Sequence, residues 1–209
     1  METELLISFI GASILLILMP GPDNIFVLTE SLTKGQKTGV SISIGLASGI
    51  MVHTIAAATG LSIIIQKSAI AFSVIKYLGA AYLLFLAYKS AKEKKPEIDL
   101  SLKNGKSDLS FFQLFRKGLL MNILNPKVAL FFIAFFPQFV SKDGFNIIAQ
   151  MLLLGGMFMI LTILIFGSIA LLSGRLSNYL NSSKFWKITK WSKVGVLSIL
   201  GLTLALARK

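Results

Sequence analysis

The first residues that could bind a charged group lie where prolines interrupt a long apolar stretch. The break consists of Pro20, Gly21 and Pro22 and is followed by Asp23 and Asn24. Because proline has no backbone N–H, a helix that reaches this break keeps carbonyl groups without helical partners, and the glycine adds backbone freedom. The two residues that follow stand where a second half-helix would begin, so we expect them to cap it. Free carbonyls beside a carboxylate attract a cation.

A second long apolar stretch is broken in a similar way. Its break reads Asn125, Pro126 and Lys127. Pro126 deprives the carbonyl of Asn122 of its helical partner, as the first break does for the carbonyl of Leu16. Asn125 is placed to cap the half-helix that follows, and half-helix N-termini together with a lysine attract an anion. The two breaks therefore predict a cation site and an anion site.

The elements that hold these residues are predicted to be membrane helices. Of 209 residues, 55% are hydrophobic and 14% are charged, whereas soluble proteins average about 25% charged residues. Six apolar stretches approach the roughly 20 residues that a helix needs to cross a bilayer. We predict an all-α integral membrane protein forming a single domain, 1–209, with about six transmembrane helices. The predicted spans are 5–32, 39–65, 69–88, 118–140, 145–172 and 188–207.

A polar, lysine-rich linker at 92–110 divides the chain into halves, 1–91 and 111–209, of three spans each. Because three is odd, the halves are expected to lie inverted in the membrane. The first helix of each half is broken by proline, and paired broken helices in inverted halves are typical of transporter binding sites.

The net charge of +12 follows the predicted topology. Fifteen lysines and arginines lie in the loops after the first, third and fifth spans, and four lie on the other side. The positive-inside rule then predicts that the odd-numbered loops and the linker are cytoplasmic and that both termini are outside. The positive charge is therefore explained by membrane topology, and we expect no binding to nucleic acid. There is no cysteine and no enzyme motif, so we expect no enzymatic activity, catalytic residue, metal or cofactor.

The loop lysines also indicate how deep the two charges lie. Asp23 is 11 residues from Lys34, and Lys127 is 10 residues from Lys117. At 1.5 Å per residue, both lie about 15 Å from the cytoplasmic boundary, near the bilayer midplane, where an unpaired charge costs about 3 kcal/mol or more. They either form a structural ion pair or bind a zwitterion, with Asp23 and free carbonyls holding its ammonium and Lys127 its carboxylate. Balanced charges favour neutral amino acids as cargo.

Four stretches carry a resemblance to a known family: PGPDNIFVL at 20–28, GLASGIMVH at 45–53, IKYLGAAYLLFLA at 75–87, and FRKGLLMNILNPKVALFFIAFFPQF at 115–139. In order and spacing they resemble the LysE/RhtB amino-acid exporters, over most of the chain except the linker and the last span. The resemblance implies export of amino acids or similar small metabolites, driven by the proton gradient, across a bacterial inner (cytoplasmic) membrane.

Three further features have both a structural and a functional interpretation. His53, the only histidine, lies in mid-span as a packing residue or a proton relay, and the resemblance supports the relay. Gly45 and Gly49 form a G-x-x-x-G pair that favours close helix packing, within the chain or in a homodimer. Tryptophans interleaved with lysines predict that segment 175–193 rests on the cytoplasmic surface.

Two alternatives to a proton-coupled exporter remain open from the residues. A passive small-solute channel could share this topology, and loss of the proton gradient would leave its downhill flow intact. A non-transporting membrane scaffold would give the two midplane breaks no purpose. The expected partners are an amino-acid substrate, protons and the lipid bilayer.

Overall fold

The computed structural model describes residues 3–61, 68–94, 109–141, 144–180 and 182–207, and these form helices and turns without a strand. The helices before residue 95 are α1 (Thr3–Leu18), α2 (Pro22–Lys34), α3 (Gln36–Ala56, extended by a π-helical turn Ala57–Leu61) and α4 (Ala69–Ala91). Most of the predicted linker, 95–108, lies outside the described residues.

Five helices follow the linker. They are α5 (Phe111–Ile123), α6 (Pro126–Leu130, extended by a π-helical turn Phe131–Phe135 and a 3-10 turn Phe136–Phe139), α7 (Ile147–Leu171), α8 (Ser173–Leu180) and α9 (Ser183–Leu206).

The prediction of an all-α membrane protein is confirmed. In the described part of the chain, four unbroken helices (α3, α4, α7 and α9) are long and apolar enough to cross a membrane. The pairs α1–α2 and α5–α6 pass the same test when each is counted as one span, which gives six. The first pair bends by 57° and the second by 49° at the predicted proline breaks. The inverted relation of the two halves stays a prediction.

Local capping sets where several of these helices begin. The side-chain oxygens of Ser68, Ser110, Asn146 and Ser182 each accept a hydrogen bond from a backbone N–H in the first turn of the helix that follows. Such bonds satisfy donors that a helix N-terminus leaves free. Caps at Ser110 and Ser182 explain why the fourth and sixth spans begin five or more residues before their predicted starts.

Helices α3 and α5 pack so closely that only glycine fits at the contact. A Cβ atom on Gly45 would lie 2.1 Å from the Phe115 carbonyl oxygen, and one on Gly118 would lie 2.2 Å from the Ile42 carbonyl oxygen. Gly45 therefore packs within the chain, as one of the two predicted alternatives held. This contact gives no support for a dimer interface at Gly45, and a homodimer stays a prediction.

A cluster of phenylalanines fills the core next to the second break. Phe9 of α1 lies against Phe136, with ring centroids 5.7 Å apart, and Phe132 stacks on Phe136 at 4.7 Å. Both π- and 3-10-helical turns after α6 supply rings to this cluster, together with Phe158 of α7. The rings fix the half-helix that carries Lys127 against α1 and α7.

The prediction that segment 175–193 rests on the membrane surface is wrong for its second half. Helix α9 begins at Ser183 and runs without interruption through the last span. Trp186 is buried against Leu28 of α2. The N-terminal half of α9 therefore packs beside the first break.

Candidate functional site

The first break joins α1 to α2 through an extended Gly21, which precedes Pro22 as the first residue of α2. The N-cap residue of α2 is Gly21, which has no side chain, and Asp23 and Asn24 already lie within the first turn. The prediction that they act as N-caps is therefore wrong. Asn24 instead donates from Nδ2 to the carbonyl of Ile17, at 2.9 Å, and so satisfies an acceptor at the end of α1.

The second break has the predicted cap. The Asn125 Oδ1 atom accepts from the Lys127 backbone N–H at 3.0 Å, and Pro126 is the first residue of α6. The other end of the same amide, Nδ2, donates to the Asp23 Oδ2 atom at 2.6 Å. Asn125 thus links the two breaks. A hydrogen bond to a carboxylate is about twice as strong as one between neutral groups.

The Lys127 ammonium group reaches across to the first break. Its Nζ atom lies 3.2 Å from the Leu16 carbonyl oxygen and 3.4 Å from that of Met19. The proline chemistry predicted that the Leu16 carbonyl would lack a helical partner, and here a lysine from the other half of the chain supplies one. The predicted cation site is thus filled by the protein's own cation.

Asp23 and Lys127 do not form the direct ion pair that one interpretation predicted, and none of the ion pairs among the described residues joins them. Asp23 is only 3% exposed. Each charge is held by neutral groups, the carboxylate by Asn125 and the ammonium by backbone carbonyls. Neither charge therefore has a counter-ion in direct contact among the described residues.

His53 lies at the second break. Its Nε2 atom is 3.2 Å from the Asn122 carbonyl oxygen, the group that Pro126 was predicted to free, and a carbonyl only accepts, so Nε2 donates. The ring stacks on Phe132 with centroids 5.6 Å apart. Gly49, one turn earlier on α3, makes room for the Asn122 side chain, because a Cβ there would lie 2.6 Å from Asn122 Oδ1.

A small space separates the two breaks. Asp23, Asn122 and Lys127 line it together with residues of α7, and its volume is about 10 Å³. That volume is about enough for one water molecule and too small for an amino acid. The Asn122 Oδ1 atom is buried here and has no hydrogen-bond partner among the described residues. Buried polar groups are normally paired, so this acceptor is notable.

A larger cavity, of about 730 Å³, lies on the other side of the first break. Its walls include Pro20–Pro22, the N-terminal half of α9 and Glu93, which follows α4. Glu93 pairs with Lys193 of α9 at 2.8 Å. Neither member of this pair was predicted as a site residue from the sequence. The available signal was the spacing of Trp186, Lys190 and Lys193, which puts all three on one face of a helix.

A second unpredicted ion-pair cluster joins the halves near the predicted cytoplasmic end of the spans. The Glu30 carboxylate lies 3.0 Å from Lys34 Nζ in α2 and 3.7 Å from Lys117 Nζ in α5. Glu30 is itself buried. This cluster ties α2 to α5 below the two breaks. Within the described residues, no group of histidine, aspartate or glutamate side chains could hold a metal ion.

These features define a multi-pass membrane protein with two opposed broken spans and charged groups at both breaks. The family model for the LysE type translocator matches residues 14–208, and the chain belongs to that family.

Relatives match nearly the whole chain. An uncharacterized membrane protein, YrhP, of Bacillus subtilis (strain 168) is 34% identical over 189 residues, covering 88% of this chain and 90% of the relative. An uncharacterized membrane protein of Vibrio cholerae is 27% identical over 209 residues, covering 99% and 98%. The homoserine/homoserine lactone efflux protein of Salmonella typhimurium is 28% identical over 208 residues, covering 100% and 99%. No solved structure matches the chain.

Proposed function

We propose that this protein is a secondary active exporter of amino acids or similar small zwitterionic metabolites across the bacterial cytoplasmic membrane. Membership of a translocator family and full-length similarity to a homoserine/homoserine lactone efflux protein support export. In this proposal the chain is a single membrane domain of two inverted halves, both termini lie outside, and access alternates around the two breaks. Protons drive the transport.

The observation that carries the proposal is that each break is completed by groups from the other. Asn125 of the second break binds the Asp23 carboxylate, and the Lys127 ammonium binds the Leu16 carbonyl of the first. A zwitterionic cargo offers the same chemistry, an ammonium and a carboxylate, in one molecule. Its ammonium can replace that of Lys127 at the Leu16 and Met19 carbonyls, and the released Lys127 can then bind its carboxylate.

The closed space between the breaks supports alternating access. At about 10 Å³ it has no room for cargo, so binding requires the half-helices to separate. The contacts that hold the half-helices together, Asn125 to Asp23 and Lys127 to Leu16, are the ones that cargo would replace. An exporter of this kind exchanges internal partners for cargo. The Asn122 Oδ1 atom, which has no hydrogen-bond partner among the described residues, offers a further acceptor for an ammonium or hydroxyl group.

His53 is proposed as the proton carrier for coupling. It is the only histidine of the chain and lies at the second break, in contact with the Asn122 carbonyl. Histidine is the side chain that most readily gains and loses a proton near neutral pH. Because that carbonyl can only accept, protonation of His53 strengthens its hold on the second break.

Export measurements test the proposal. Cells or proteoliposomes loaded with L-homoserine should lose export when Asp23→Asn or Lys127→Met is introduced, since each change removes one member of the exchange. Glu4→Gln and Lys76→Met serve as matched controls, because Glu4 is exposed at the start of α1 and Lys76 binds the Ala207 carbonyl at the far end of α9. Normal export by both folded test variants would refute the proposal.

A second arm separates the exporter from a passive channel. Uphill efflux of L-homoserine should stop when the proton gradient is collapsed, whereas flow through a channel down a concentration gradient would continue unchanged. The His53→Gln variant, which keeps an N–H donor for the Asn122 carbonyl, should lose the response to the gradient while still folding.

A further inference from the structure

The cavity of about 730 Å³ beside the first break has the composition of an anion site. Both tryptophans of the chain line it. Its charged wall residues are four lysines and one glutamate, namely Lys94, Lys187, Lys190, Lys193 and Glu93. Its volume falls within the range of small-molecule sites in proteins.

The structure already shows a carboxylate bound in this cavity, and it is the protein's own. Both Glu93 carboxylate oxygens lie close to Lys193 Nζ, at 2.8 and 2.9 Å. Lys190 Nζ holds the Glu93 backbone carbonyl at 3.1 Å. The Lys193 side chain is 16% exposed and the Glu93 side chain 47%. Lys193 is thus a mostly buried residue of a long helix, while Glu93 contacts it from the more solvent-exposed side.

Only the first break separates this cavity from the space between the two breaks. Gly21 lines the cavity, and a Cβ atom on it would lie 3.6 Å from Lys127 Nζ. The wall at this point is therefore one glycine thick. An anion bound in this cavity beside Gly21 is therefore separated from the Lys127 ammonium group only by that residue.

We propose that this cavity is the loading site of the transporter, where the cargo's carboxylate binds Lys193 and displaces Glu93 before cargo enters the space between the breaks. The inference rests on the proposed exporter function. The cavity opens beside the C-terminus of α4 and the N-terminus of α9, the side that the charge pattern assigns to the cytoplasm. The displaced Glu93 carboxylate becomes available to the cargo's ammonium group.

Tryptophan fluorescence of the purified full-length protein in phosphatidylcholine nanodiscs tests the site directly, since Trp186 and Trp191 both line it. L-Homoserine should give a saturable change. L-Homoserine lactone, which has no free carboxylate, should bind about ten-fold more weakly, as expected for loss of one charged hydrogen bond. Equal binding of the two compounds, or no saturable change with L-homoserine, would overturn the proposal.

Variants of the two wall charges should shift the L-homoserine affinity in opposite directions. Lys193→Gln should weaken it about ten-fold, and Glu93→Gln should tighten it because an internal competitor is removed. Lys184→Gln is the matched control, since Lys184 lies on the same helix as Lys193 but is not among the residues that line the cavity. A purely structural ion pair would weaken binding in both wall variants, and that result would contradict the proposal.

An anionic lipid headgroup shares the chemistry of a carboxylate and is distinguished by a further arm. Adding phosphatidylglycerol to the nanodiscs should leave the L-homoserine titration in place. If it abolishes the titration, the occupant is lipid and the proposal falls. The fluorescence change should persist in Asp23→Asn. If L-homoserine gives no saturable fluorescence change but Asp23 is still needed for export, only the loading site is refuted. If the fluorescence titration is intact but Asp23→Asn and Lys127→Met export normally, only the exporter mechanism is refuted.

Discussion

Both broken spans are interrupted by proline, but they differ in the hydrogen-bonding groups that each presents to the other. The first break has no side-chain cap and presents acceptors, which are the Leu16 and Met19 carbonyls and the Asp23 carboxylate. The second break is capped by Asn125 and presents hydrogen-bond donors to the first break, namely the Asn125 amide and the Lys127 ammonium. One break is built to hold a cation and the other to supply it.

In the proposed exporter, this asymmetry would orient a zwitterionic cargo. If both breaks presented mixed groups, a cargo could bind in either orientation. With acceptors on one side and donors on the other, the ammonium has one place to bind and the carboxylate has another.

Exchanging the charges should give the largest effect. In the double variant Asp23→Lys with Lys127→Asp, a carboxylate faces backbone carbonyls that can only accept hydrogen bonds. An unsatisfied charge near the bilayer midplane costs about 3 kcal/mol, so we expect at least about a hundred-fold loss of L-homoserine export. Export rates normalised to membrane abundance measure this. Recovery of export relative to Lys127→Asp alone would show that the two positions act as a simple ion pair.

Removing the link between the breaks should have the next largest effect. Asn125→Ala deletes the cap of α6 and the partner of Asp23 together. We expect a loss of about 2 to 4 kcal/mol in the free energy of unfolding, from about 1 kcal/mol for a cap and 1 to 3 kcal/mol for an unpaired buried acceptor. Thermal unfolding in detergent checks this. Asn125→Asp keeps the cap and places a second carboxylate beside Asp23, so a variant as stable as the wild type would contradict the assigned link.

The glycine that supports the second break should show a smaller effect. Gly49→Ala places a Cβ 2.6 Å from Asn122 Oδ1 and so moves the residue whose carbonyl binds His53. Overpacking of this kind costs about 1 to 3 kcal/mol. Gly11→Ala is the control, because nothing lies within 4 Å of its added Cβ. Equal melting temperatures for the two variants would show that this contact is not tight in the working protein.

The corresponding change at the first break should be the mildest. Asn24→Ala removes one hydrogen bond to the Ile17 carbonyl but also removes a buried Oδ1 atom that has no partner among the described residues. The two effects oppose each other, so we expect a loss of about 1 kcal/mol or less. A melting temperature as low as that of Asn125→Ala would remove the distinction between the two breaks.

What the sequence predicted correctly is what proline chemistry determines locally. Leu16 was predicted to have a carbonyl without a helical partner because Pro20 has no N–H, and Asn125 was predicted to cap α6 from its place before Pro126. The Asn122 carbonyl was predicted to be free for the same reason, but it accepts a hydrogen bond from the Asn125 backbone N–H at 3.0 Å. The positions of Asp23 and Asn24 were misjudged by the same local reasoning. Pro22 is itself well suited to the first helical position, so α2 begins one residue before Asp23.

What the sequence could not predict depends on contacts between distant residues. Lys127 and Leu16 are 111 residues apart along the chain, and Glu93 and Lys193 are 100 apart. Nothing in a local pattern specifies that these groups meet. Lys193 was also assigned to a surface segment because lysines and tryptophans alternate there. Burial of Trp186 against Leu28 overrides that pattern and brings α9 to the first break.

The Lys127 ammonium lies at the Leu16 and Met19 carbonyls of the first break, and we propose that another cation can replace it there. Lys127→Ala removes it and leaves the Leu16 and Met19 carbonyls without that partner. n-Propylammonium matches the deleted atoms, and propionate, of the opposite charge, is the control. We predict that n-propylammonium raises the melting temperature of Lys127→Ala saturably and leaves the wild type unchanged, while propionate does neither. No stabilisation, or equal stabilisation by propionate, would show that these carbonyls do not form a replaceable cation site.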